Sequence, residues 1–107
     1  MAAPIVVVAT ITAKPGHEDD VEKVLSDVAS AVHAEDGCLR YALHRKTGAP
    51  GVFVMVEKWA SQEALGAHMK GAAMRQLGAG LRDHLAAAPD IATLEVVPAG
   101  DPVIGAL

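Results

Sequence analysis

Apolar positions along the chain repeat with two different periods, and the changes between them predict the elements. Ile5 to Ala13 is a β-branched run ended by Lys14-Pro15-Gly16, which no strand or helix interior tolerates. The period then becomes helical. Val21, Val24, Leu25, Val28 and Val32 fall at i, i+3, i+4, i+7 and i+11, with Glu18, Asp19 and Asp20 in the first turn, where the helix dipole favours negative charge. Asp36-Gly37 ends this helix, Gly37 being a natural left-handed cap. From Cys38 to Arg45, Leu39, Tyr41 and Leu43 alternate with Arg40, Ala42 and His44, and residues 46–51 form a hairpin loop into a strand from Val52 to Trp59. Ser61 is a good N-cap for a helix carrying Ala64, Leu65 and His68 on one side, and Gly71 breaks or bends that helix. Met74, Leu77, Leu81 and Leu85 continue at helical spacing until Pro89-Asp90, and Ile91 to Val97 reads as a last strand. The order β-α-β-β-α-β is the split arrangement of α+β, ferredoxin-like domains with an antiparallel sheet.

The strand from Val52 to Trp59 has two unlike faces. Phe53, Met55, Glu57 and Trp59 share one, and Val52, Val54, Val56 and Lys58 the other. The plain aliphatic face is expected to lie under the helices and the mixed face to line a pocket or a subunit interface. Helices cover only one face of such a sheet, and a bare face bearing Phe53, Met55 and Trp59 would be a larger apolar patch than a soluble monomer carries, so a symmetric homodimer with facing sheets is expected. Residues 1–97 are read as the folded domain. Residues 98–107 form a Pro/Gly-rich tail whose Val103, Ile104 and Leu107 are expected to dock on the partner subunit.

Composition narrows the partners. The chain has 107 residues, 51% of them hydrophobic but only 3% aromatic, so the core is built of Val, Leu, Ile and Ala, and each aromatic position is informative. A net charge of -4 with scattered basic residues provides no stripe for phosphates, and nucleic acid is not expected as a partner. Cys38 is alone, which excludes an internal disulfide, and its bland reading is a small, partly buried hydrophobe. Met-Ala-Ala-Pro carries no charged leader and Ile5 to Ala9 is too short to span a bilayer, so no membrane association and a cytoplasmic location are expected.

Asp36-Gly37-Cys38-Leu39-Arg40-Tyr41, then Glu57-Lys58-Trp59, then Ala64-Leu65 and His68 resemble the antibiotic biosynthesis monooxygenase family of small dimeric α+β-barrel proteins. That family more often has glutamate where Asp36 stands. The resemblance runs from the first strand to the last, and it implies an oxygenase that uses dioxygen on a small aromatic phenol or quinol with no metal, flavin or other cofactor. Type members place an asparagine four residues before the tryptophan, where this chain has Met55. Haem-degrading relatives have an asparagine, a tryptophan and an iron-ligating histidine where this chain has Ala9, His68 and Gly78, and His84 substitutes only if the helix shifts. The same scaffold hosts isomerases and proteins with no known activity, so a non-catalytic dimeric small-molecule-binding or stress protein stands as the alternative, with an isomerase or haem-degrading enzyme beside it.

Cofactor-free oxygenation needs a base to form the substrate anion and a dry cavity to protect it. His68 is the candidate base, with Glu57 the second candidate catalytic residue; the bland reading of His68 is a core histidine bonded to a carboxylate such as Glu57. Trp59, Phe53 and Met55 would wall the pocket or simply anchor the core. Tyr41 is a candidate donor to a substrate oxygen, and His44 a candidate contact to an acidic group unless its face is solvated. His17 and His33 are expected in solvent. The histidines show no metal-binding spacing, so any metal site would have to be assembled from distant residues. Gly78-Ala79-Gly80 falls inside a helical pattern and lacks the strand a dinucleotide loop follows.

Overall fold

A computed structural model describes residues 3–107 of the chain. Its elements are β1 (Ile5–Thr12), α1 (Glu18–His33), β2 (Cys38–Arg45), β3 (Val52–Trp59), α2 (Gln62–Met69), α3 (Ala72–Leu81) and β4 (Asp90–Glu95). The strands form one antiparallel sheet in the order β2-β3-β1-β4, so β3 is inserted between the two strands that α1 connects. This is the α+β, ferredoxin-like arrangement read from the periodicity. Among the described residues no helix is long and apolar enough to cross a membrane.

Local chemistry sets most boundaries. The Ser61 hydroxyl accepts from the Ala64 amide at 3.0 Å and starts α2, while Gly71 ends it and is the N-cap of α3. Gly37 is left-handed (φ 78°), and a Cβ there would stand 2.5 Å from the Cβ of Ala64, so only glycine lets this turn seat against α2. It lies in the turn after α1 rather than at the helix cap, because α1 ends at His33 and releases residues 34–37 as a separate turn. Gly80 serves packing: a Cβ on it would meet Val24 of α1 at 2.7 Å. The helical spacing through Leu85 overruns, since α3 stops at Leu81. Beyond it Lys14 donates to the His84 carbonyl, Ala86 donates to the Thr12 carbonyl, and Leu85 bridges Ala13, which pulls the segment onto the end of β1.

The faces of β3 are the reverse of the sequence expectation. Phe53, Met55, Glu57 and Trp59 are buried under the helices with Val21, Leu25, Val28 and Val32 of α1, whereas Val52, Val54, Val56 and Lys58 are only half-buried on the open face. The physical reason is size. Trp59 and Phe53 are the largest fully buried side chains, and placing them in the core between sheet and helices removes more apolar area from water than valines would. The open face is therefore aliphatic. In register across it stand Ala42, Val56, Val8 and Ala92, with Lys58, Val6 and Leu94 one step along. A bulge between Cys38 and Arg40 puts Leu39 out of the alternation and leaves it exposed.

Candidate active site

With that reversal, the mixed face of β3 looks into the core under α2 and α3. Leu65 and His68, on one side of α2, are buried against it. The His68 ring stacks on the Trp59 indole, with centroids 4.4 Å apart and planes 27° apart, and meets the Tyr41 ring edge-on at 5.8 Å. The indole Nε1 of Trp59 donates to Glu57 Oε1 at 2.9 Å.

His68 stands between two carboxylates. Its Nδ1 is 2.8 Å from Glu35 Oε1, and its Nε2 is 3.9 Å from Glu57 Oε1, too long for a hydrogen bond. A carboxylate accepts, so in the neutral imidazole Glu35 holds the proton on Nδ1 and leaves the Nε2 lone pair facing Glu57. Glu35 reaches this position because α1 stops two residues before it and the following turn is docked on α2. The Ala60 amide donates to the Gly37 carbonyl at 2.8 Å.

Burial pushes the Glu57 carboxyl above its ordinary value, against the opposing effects of the Trp59 hydrogen bond and the His68 charge. Burial, and secondly the Glu57 charge, also raise the Tyr41 hydroxyl, so it stays protonated and able to donate. The Cys38 thiol is raised by burial too, which makes it a poor nucleophile.

Tyr41, Met55, Glu57 and His68 share the wall of a small cavity of about 60 Å³ with Val7, Ala9, Leu25, Met74, Leu77 and Ile91. On the opposite side, Glu35 and His68 border a wider cleft of about 380 Å³ between the end of α1, α2 and the start of α3. His68 thus separates an apolar interior from an open cleft. Of the residues singled out in the sequence, His68, Glu57, Trp59, Tyr41 and Met55 come together here. Phe53 is buried in the same core without touching the cavity, and His44 is exposed on the open face, its Nδ1 against the Ala42 carbonyl. Glu35 was missed in the sequence because it belongs to no periodic pattern.

Haem does not fit this site. Ala9 offers only a methyl group, His68 is held by Glu35 and Trp59, and Gly78 lies exposed on α3. His84 is no substitute, since its ring lies against His17 rather than the cavity. His33 is exposed as expected, but its Nε2 lies 2.9 Å from the Tyr41 carbonyl.

Comparison with known proteins agrees with this fold over most of the chain. The antibiotic biosynthesis monooxygenase family model matches residues 4–79. The candidate monooxygenase YcnE of Bacillus subtilis is 34% identical over 95 residues, covering 86% of this chain and 97% of that protein. A crystal structure of a candidate antibiotic biosynthesis monooxygenase from Caulobacter crescentus superposes with a TM-score of 0.83 at 36% identity, covering 91% of this chain and 92% of that one. The crystal structure of PA3566 from Pseudomonas aeruginosa gives 0.85 at 32% identity, over 92% and 98%.

Proposed function

The chain belongs to the antibiotic biosynthesis monooxygenase family, and from that premise we propose that it oxidises a small aromatic phenol or quinol with dioxygen, without a cofactor, in the cavity bounded by His68, Glu57 and Tyr41. The family and its relatives support a monooxygenase-like function. The finer reading rests on one observation: a buried histidine with Nδ1 tied to Glu35 and Nε2 free at the wall of an apolar cavity.

In this reading the substrate hydroxyl approaches from the cavity and bridges His68 Nε2 and Glu57 from the side, and Nε2 takes its proton. Glu35 stabilises the imidazolium that forms, and its side chain borders the open cleft, so the proton has a route to water. The Tyr41 hydroxyl donates to the substrate oxygen as negative charge develops. The anion passes one electron to dioxygen, the radical pair joins at a ring carbon, and the resulting hydroperoxide collapses to a carbonyl. One oxygen atom stays in that carbonyl and the other leaves as water with two substrate hydrogens. The dry walls keep water from quenching the pair.

The cavity as it stands holds roughly two waters. Substrate must therefore push aside part of the wall, and Met69, Met74 and Ile91, two flexible side chains and one on a strand with no cover, are the yielding side. A homodimer follows from the open face: Val54, Val56, Val8 and Leu94 make an apolar surface that a second copy would cover, and Val103 and Ile104 of the 98–107 tail, 81% and 87% exposed, would rest on that copy. Within its own chain the tail is held by Lys58, whose ammonium donates to the Leu107 carbonyl.

A second reading has its own support. Met55 replaces the amide-bearing residue of the cofactor-free oxygenases, which favours a dimeric module that binds a small apolar molecule without transforming it. Oxygen uptake separates the two. Protein treated with chelator and freed of flavin should consume dioxygen with an anthrone or quinol and release a quinone that carries one added oxygen atom. If no such substrate supports uptake while apolar aromatics still bind stoichiometrically, the binding module is correct.

A further inference from the structure

At the other end of β1, away from His68, the fold gathers side chains that the proposed reaction does not use. His17 is the N-cap of α1, Asp20 lies in its first turn, and His84 lies in the connection between α3 and β4. The Nδ1 atoms of His17 and His84 are 2.8 Å apart, His84 Nδ1 is 3.9 Å from Asp20 Oδ2, and one ligand atom from each residue lies within 4.8 Å of the others. We propose that these three side chains bind one divalent transition-metal ion of the zinc class, in a two-histidine, one-carboxylate site with its remaining positions open to water.

The chemistry of the donors carries this. Two ring nitrogens at 2.8 Å are joined by a single shared proton, one donating and the other accepting, so at least one of them already presents a lone pair. A metal takes the place of that proton, which is carried instead on the outer Nε2 of the same ring, so both imidazoles ligate in the neutral form. With metal–nitrogen bonds of about 2.0–2.1 Å, two histidine nitrogens stand about 2.9 Å apart at a right angle and about 3.4 Å apart at a tetrahedral angle, so both geometries are reached by shifts of a few tenths of an ångström. Asp20, whose oxygen is 3.9 Å from His84 Nδ1, moves further, by about 0.5–1 Å, which an exposed side chain does by a small rotation, and it supplies a negative charge. Imidazole and carboxylate together suit zinc, cobalt, nickel or copper rather than calcium or magnesium, which take oxygen ligands.

The surroundings fit a cation. The positive end of the α1 dipole is offset by Glu18, Asp19 and Asp20 in its first turn. Glu18 is committed to the Gly16 amide, which its two carboxylate oxygens accept at 2.9 and 3.1 Å, leaving Asp20 as the carboxylate nearest the histidines. The backbone also aims the ligands. Asp83, the only non-glycine residue with positive φ among the described residues (69°), immediately precedes His84. The His84 carbonyl accepts from Lys14 at 2.9 Å, and His17 donates to the Lys14 carbonyl at 2.9 Å, so one residue's backbone holds both histidines in place. A bound ion would staple the start of α1 to the α3–β4 connection.

Titration of the chelator-stripped full chain with Zn²⁺ tests this by calorimetry. The expected result is one equivalent bound, a rise in thermal midpoint, and visible absorption on Co²⁺ substitution. His17→Ala and His84→Ala should each weaken binding by about tenfold or more, Asp20→Asn should weaken it measurably, and His44→Ala, on the open sheet face, should leave it unchanged. If His84→Ala fails to fold, His17→Ala and Asp20→Asn carry the test. Failure to bind one equivalent, or binding that survives His17→Ala and Asp20→Asn undiminished, overturns the proposal. Oxygen uptake plays no part in these readouts, so the metal site and the oxygenase reading stand or fall separately.

Discussion

β3 and β4 flank β1 on either side, both pair with it along an antiparallel ladder, and they have opposite fates. β3 alternates buried and half-buried residues along its whole length, whereas every residue of β4 is exposed. The hydrogen bonds are alike, so pairing is not what buries side chains; cover is. The inner face of β3 lies under the helices, and there it carries the largest core side chains, the Trp59 indole on which His68 of α2 stacks, and the buried Glu57 carboxyl. β4 is an edge strand with half-exposed Ile91 and Leu94, an arrangement that soluble proteins cover or blunt. The core and the candidate site therefore concentrate on β3, and β4 contributes the less covered wall of the same cavity.

The sharpest way to break this contrast is Trp59→Ala. It removes a fully buried indole, leaves the Glu57 carboxylate without its donor and takes away the surface on which His68 stacks, so denaturant unfolding should show a loss of about 3–5 kcal/mol together with any activity. His68→Ala comes next. General-base assistance of roughly 10² to 10⁴ in rate should disappear. Because His68 is buried and bonded to Glu35, the variant should also lose about 1–3 kcal/mol of stability, more than expected of a side chain that merely lines a pocket. Activity must therefore be normalised to folded protein; a rate that falls only with the folded fraction would reduce His68 to a core residue.

On the open face, Val56→Asp should convert a dimer into an 11.0 kDa monomer in sedimentation while leaving the helix-side core intact. A dimer that persists would mean that the aliphatic face is not its interface. Glu57→Gln is a subtler test. Burial raises the Glu57 pKa in the folded state, so its contribution to stability is present below about pH 4.5 and is lost as pH rises through the raised value. The Gln variant should flatten that decline, and an unchanged stability-versus-pH curve would count against a perturbed carboxyl. The smallest effect belongs to β4. Thr93→Ala, on its inner but uncovered side opposite Val7, should change stability by no more than about 0.5 kcal/mol.

How much of this was legible in the sequence follows from the range of the forces involved. Period-two and helical patterns, the Ser61 cap, the Gly71 break and the left-handed Gly37 are local matters, and they determined the element order and hence the split α+β topology. The residues Glu57, Trp59 and His68 could be singled out by type and spacing, and their resemblance to a family could be stated. What the tertiary structure decided is everything that depends on which surfaces meet. The alternation along β3 separated its two faces but put the aliphatic one under the helices, and only packing showed that the bulky aromatic one belongs there. Glu35 reaches His68 only because a turn freed by the end of α1 docks on α2. His17 and His84 are 67 residues apart, and α3 had to stop at Leu81 for their rings to meet. Periodicity reports a residue's neighbours along the chain; contacts across it exist only once the core has chosen its cover.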